Sequence, residues 1–132
     1  MYVKTFSNQV IEMAKVDQDL RFAAVRSQKG KRPGTLSVEN YLIYVVDWVH
    51  GQRIRKLIDK HGYPTVKAFG KKAMDAFWLL IQHQDYDTEL QKDCLKNCSF
   101  SKTQFEHLTD RILLNEGKPQ RYGTQFKRKI RQ

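Results

Sequence analysis

Asp17, Asp47 and His83 are ionisable residues that stand where apolar ones belong. Along residues 6–27, Val10, Met13, Leu20 and Ala24 recur at helical spacing, and Asp17 falls on the same line. Ile43, Ile54 and Ile58 mark a second stripe that also holds Asp47 and His50, spaced i, i+3 and so neighbours on a helix surface. On a third stripe, Ala76 and Leu80 lead to His83. Burying an unpaired charge costs several kcal/mol. These groups must therefore pair with one another or line a cleft that admits water and a ligand. Asp17 with Arg21, Asp47 with Arg53 or Arg55, and His83 with any carboxylate are the pairings open to a purely structural network.

His83 is the strongest candidate for proton transfer, because a free imidazole with a pKa of about 6.5 works in both directions near neutrality. Asp85 or Asp87 is placed to hold its tautomer. Arg111, next to Asp110, either pairs internally or presents a bidentate fork to a phosphate or carboxylate. The run Tyr122-Gly123-Thr124-Gln125 suggests a tight turn that offers a phenol, a hydroxyl and an amide together. This reading makes His83, Asp85 and Tyr122 the catalytic candidates, with Arg111, Asp17 and Asp47 binding the substrate. A metal is not expected: Asp47-x-x-His50 resembles half of a di-metal pair but lacks the further carboxylates such bundles repeat on other helices. Cys94 and Cys98 lie one turn apart without matching ligands, so they read as free thiols. There is no phosphate-cradling glycine loop and no Gly-x-Ser-x-Gly elbow, and no cofactor is indicated.

The elements that must position these groups are helices. One is expected from Phe6 to Ser27, broken by Gln28-Lys29-Gly30-Lys31-Arg32-Pro33-Gly34. A second spans Val38 to Lys60 and stops at His61-Gly62-Tyr63-Pro64. A third starts near Gly70 and carries Phe77 to Ile81, the expected centre of the core. Asp87 caps a fourth over Thr88–Asn97, with Glu89 favourable in its first turn. The capping box Ser101-Lys102-Thr103-Gln104 opens a further turn or two to about Leu108, and a small hairpin is expected about Asn115–Lys118. The predicted fold is mainly α: a compact bundle of four to five helices with a small C-terminal β-hairpin or turn. It forms one domain over residues 1–125, with a basic tail over 126–132.

At 132 residues and 40% apolar composition, the chain can bury one core and is not a disordered protein. Its longest apolar run, Ala76 to Ile81, is far short of the roughly 20 residues that span a bilayer. The first residues lack the apolar stretch of a secretory signal and two cysteines make no disulfide framework, so a reduced cytoplasmic setting is expected. The net charge of +10 is uneven: residues 21–34 carry +5, 51–72 carry +6, 118–132 carry +6, and 73–117 carry −4. Such an imbalance favours anionic partners.

Several motifs together resemble a bacterial family known only as a domain of unknown function. They are Asp17-Gln18-x-x-Arg21, Gly62-Tyr63-Pro64, Trp78-Leu79-Leu80-Ile81-Gln82-His83-Gln84-Asp85 with Gln91, Leu108-Thr109-Asp110-Arg111, and Gly117-Lys118-Pro119-Gln120-x-Tyr122-Gly123-Thr124-Gln125. The resemblance covers about Met13 to Gln125. It implies a bacterial or phage-related cytoplasmic protein in which Gln82, His83, Asp85, Asp110, Arg111, Gln120, Tyr122, Thr124 and Gln125 form one functional patch, with Gln82, Gln120, Thr124 and Gln125 joining the substrate-binding residues. It supplies no reaction.

Three functions are compatible with these residues. The leading one is a small acid/base enzyme acting on an anionic or nucleotide-like substrate, in a pocket joining the third helix to the C-terminal hairpin. The second is a nucleic-acid-binding module that uses the basic segments, with Tyr41, Tyr63 and Tyr122 as stacking platforms. The third is a non-catalytic, immunity-type interaction protein whose acidic middle segment meets a basic protein partner. None involves a membrane.

Overall fold

A computed structural model describes residues 5–32 and 34–125, which form six helices: α1 (Phe6–Ser27), α2 (Val38–His61), α3 (Val66–Phe69), α4 (Lys71–Gln82), α5 (Thr88–Asn97) and α6 (Lys102–Asn115). Residues 126–132, the expected tail, lie outside the described residues. Local chemistry fixes the helix ends. The Thr5 hydroxyl accepts from Asn8 N–H at 3.1 Å, and Ser37 with Asn40 closes a capping box at the start of α2. Gly62 ends α2 at φ +83°, a left-handed position that a side chain would strain.

Helix α1 packs against both α2 and α4, and α5 packs against α6. The core gathers Val10 from α1, Ile54 from α2, Phe77, Leu80 and Ile81 from α4, Leu90 from α5 and Leu108 from α6. The short α3 carries no apolar periodicity that a sequence pattern could reveal. Thr65 caps it, and Phe69 sets its ring edge-on to Phe6 at 4.9 Å and to Phe77 at 6.4 Å. No described helix is long and apolar enough to cross a membrane.

The expected C-terminal hairpin does not form. Helix α6 continues past Leu108 to Asn115, and there is no strand among the described residues. Arg111 to Leu114 contain one β-branched residue, Ile112, which is buried in the helix–helix core. The turn read as a hairpin tip is a helix stop. Lys118 N–H bonds Leu113 C=O at 2.8 Å and Gly117 N–H bonds Leu114 C=O at 3.0 Å, with Gly117 at φ +74°.

One glycine has a packing reason. Gly51, inside α2, admits the loop after α4: a Cβ there would stand 2.2 Å from Gln84 Oε1 and 2.4 Å from the Tyr86 hydroxyl. Those side chains cross to α2, where Gln84 Nε2 donates to Asp47 C=O at 3.0 Å and the Tyr86 hydroxyl donates to the same carbonyl at 3.2 Å. Alanine is normally the better helix former by about 0.5–1 kcal/mol. Gly51→Ala should nevertheless destabilise the fold by about 1–3 kcal/mol through overpacking and lost hydrogen bonds. A lower urea midpoint at unchanged slope checks this; a higher midpoint would contradict it.

Candidate functional site

Helices α1 and α2 and the end of α4 each place an ionisable group in one buried cluster. Asp17 is fully buried on the inner face of α1, Asp47 is buried on α2, and His83 occupies the C-cap of α4. Arg21, one turn beyond Asp17, joins the two carboxylates. Its Nη1 donates to Asp17 and, at 3.2 Å, to Asp47, while its Nη2 donates to the second Asp47 oxygen at 2.9 Å. The Asp17 carboxylate also accepts from Gln18 Nε2 at 2.8 Å and meets His83 Nδ1 at 3.0 Å. The His83 side chain retains 12% exposure, and Nε2 has no hydrogen-bond partner among the described residues.

The two carboxyls are driven in opposite directions. Burial pushes Asp17 up, but the bond and charge of His83, with Gln18 and Arg21, outweigh it and hold the group below the usual carboxylate value. At Asp47 burial prevails over Arg21 and His83, helped by the nearby Asp17 charge, and holds the group above it. An ionised Asp17 can only accept, so the proton of a neutral His83 sits on Nδ1 and the lone pair is on Nε2. His50, one turn along α2 from Asp47, is pushed below the ordinary imidazole value by burial, and its Nδ1 is buried without a partner. It lines a groove between α1 and α2 of about 480 Å³, with Met13, Val16 and Arg53 among the other walls.

Asp17, Asp47 and His83 offer ligand atoms within 4.8 Å of one another, a spacing that suits a metal ion. Arg21 already supplies positive charge to both carboxylates, so an ion would have to displace the guanidinium. The cluster as folded carries its own cation.

The other candidates form two further groups. Asp85 receives Arg111 Nε and Nη2, each at 2.8 Å, and Asn115 Nδ2 at 2.8 Å, so it does not hold the His83 tautomer; Asp17 does. Asp87 caps α5 and is held by Arg55 at 2.8 and 2.9 Å, leaving Asp47 to Arg21 rather than to Arg53 or Arg55. Gln91 donates to the carbonyls of Ile81 and Gln82 at the end of α4, and the Gln82 side-chain oxygen is buried without a partner. Asp47 also helps keep Arg111 charged, so the two groups are electrostatic neighbours.

The last group surrounds Asp110. This buried carboxylate accepts from the backbone N–H groups of Arg121, Tyr122 and Thr124 and from the Thr124 hydroxyl, at 2.7–2.9 Å. Burial would raise it, but these four donors bring it down to about 2. Gln120 and Gln125 bond each other, and Gln125 Nε2 donates to His107 C=O at 3.1 Å. Thus Gln120, Thr124 and Gln125 fasten residues 120–125 to α6, while Tyr122 stays 42% exposed. The grooves lined by His50, by Trp48 and by Lys92 include neither His83 nor Tyr122.

Fold and site define a small all-helical protein built around a buried carboxylate–arginine–histidine cluster. The chain belongs to a family of unknown function (DUF6624), whose sequence profile matches residues 5–130. No curated protein and no solved structure matches it.

Arg21 neutralises two buried carboxylates, and removing one member of a buried ionic group costs about 3–5 kcal/mol. Arg21→Met should therefore lower stability by about 3 kcal/mol at pH 7. Asp47 is already raised, and loss of the guanidinium raises it further. Protonating it relieves the repulsion, so the deficit should shrink as pH falls from 7 towards 5. Urea midpoints at the two pH values measure this; an equal deficit at both would contradict it.

Proposed function

We propose that the protein is an enzyme that uses His83 as a general acid/base, held by Asp17, on an anionic substrate of nucleotide-like or comparable charge. The observation that carries this reading is the Asp17–His83 contact at 3.0 Å, with the distal imidazole nitrogen unpartnered among the described residues. A carboxylate behind an imidazole fixes the tautomer and stabilises the imidazolium that forms when Nε2 takes a proton. Opposite perturbation of two neighbouring carboxyls is a feature of acid/base sites.

The roles divide by chemistry. His83 Nε2 takes or gives the proton. Asp17 positions the ring, and Arg21 keeps Asp17 ionised. The +10 chain attracts a substrate of negative charge. In this reading Asp85 and Arg111 brace the loop that carries His83, and Asp47 shares Arg21 with Asp17.

A panel of phosphomonoesters, phosphodiesters and carboxylic esters tests the proposal. Turnover of one class should fall about 100-fold or more in His83→Asn, with unchanged far-UV circular dichroism. Turnover that survives this substitution, or none of any class by the wild-type protein, would overturn it.

A further inference from the structure

The outward face of α2 changes character halfway along. Its first three turns expose Val38, Tyr41, Tyr44, Val45, Trp48 and Val49, each between 44% and 72% accessible. This stripe lies opposite the buried line of Asp47, His50, Ile54 and Leu57. The same outward face then turns polar and basic at Gln52, Arg53, Lys56 and Lys60. The second half is an ordinary solvated helix surface; the first half is not.

We propose that residues 38–49 of α2 form the interface of a two-fold dimer of this chain. At roughly half exposure, these side chains and Leu42 present on the order of 700 Å² of apolar surface. A standard interface takes roughly 800 Å² from each partner. The patch exceeds the roughly 300–600 Å² of the largest apolar patch on a typical monomer. An isologous pairing supplies an identical patch from the second copy.

Charge sets the direction. Parallel α2 helices would bring Arg53, Lys56 and Lys60 of the two copies side by side, a like-charge arrangement that costs several kcal/mol. An antiparallel pair places Val45 against Val45 at the axis and parts the two basic halves from each other, each passing the partner's Glu39 in the first turn of α2 and the basic loop before it. Trp48 and Tyr41 then fill the flanks, where large aromatics contribute most to interface energy. This inference does not rest on the acid/base reading: Asp17 and His83 lie on the inner side of α2, and of the patch Val49 alone also lines the groove beside His50.

Sedimentation of the full chain at about 50 μM, above the μM limit of interfaces this size, should give a dimer, twice the 15.6 kDa chain. Val45→Glu and Tyr44→Lys should each give a monomer of unchanged helicity. Phe22→Glu, at an exposed apolar site on α1, should leave the dimer intact. Under oxidation Val45→Cys should cross-link two chains and Val38→Cys, which the antiparallel pairing carries away from its own copy, should not; Cys94 and Cys98 are buried and give no background. A wild-type monomer at that concentration, a dimer that survives Val45→Glu, or cross-linking through Val38→Cys would overturn the proposal. So would a monomer that sediments with anionic phospholipid vesicles through Trp48, which would assign the face to lipid.

Discussion

The fold depends on how two buried carboxylates are neutralised. Asp17 and Asp47 face each other across the α1–α2 interface, where their charges repel in a poorly solvated setting. Arg21 donates to both, and His83 reaches Asp17 from the end of α4. Three helices therefore converge on one charge balance, and the apolar residues above and below it can pack only if the balance holds. An apolar cluster of equal volume would stabilise the bundle at least as well. What the ionic cluster adds is an imidazole of fixed orientation at the edge of the core.

The remaining polar residues keep that imidazole in place. His83 leads a short connection between α4 and α5, and nearly every residue of it is tied down. Gln84 and Tyr86 bond α2, Asp85 bonds α6 through Arg111 and Asn115, and Asp87 caps α5 and holds Arg55. Burial pushes the Tyr86 phenol up to about 12, so it remains a donor to α2. Such a loop loses little further entropy when a ligand arrives, which is the condition a positioned acid/base group requires. Asp110 does equivalent work for the segment after α6 by gathering four donors from residues 121–124.

Much of this was legible because it is encoded in period and caps. The phase of Asp17 against Val10 and Met13, the stop at Gly62, and the Asp87 cap each follow from residues close in sequence. The partners were less legible, because a carboxylate accepts from any cation that tertiary packing brings near. Arg111 selects Asp85 and Arg21 selects Asp47 across 26 residues each, a choice no local pattern records. The hairpin expectation failed because Leu113 and Leu114 suit a helix as well as a strand, and a glycine turn follows both. Gly51 was the overlooked clue: a glycine inside a long helix marks a close approach, here of Gln84 and Tyr86.

The account stands most directly on the protonation of one ring. Long-range ¹H–¹⁵N spectra of the intact protein with its imidazoles neutral report which ring nitrogen of His83 carries the proton. The account predicts the Nδ1–H form, bonded to Asp17, with a bare Nε2, and its loss as the dominant tautomer in Asp17→Asn. A proton on Nε2 in the wild-type protein, or a tautomer unchanged by that substitution, would contradict it.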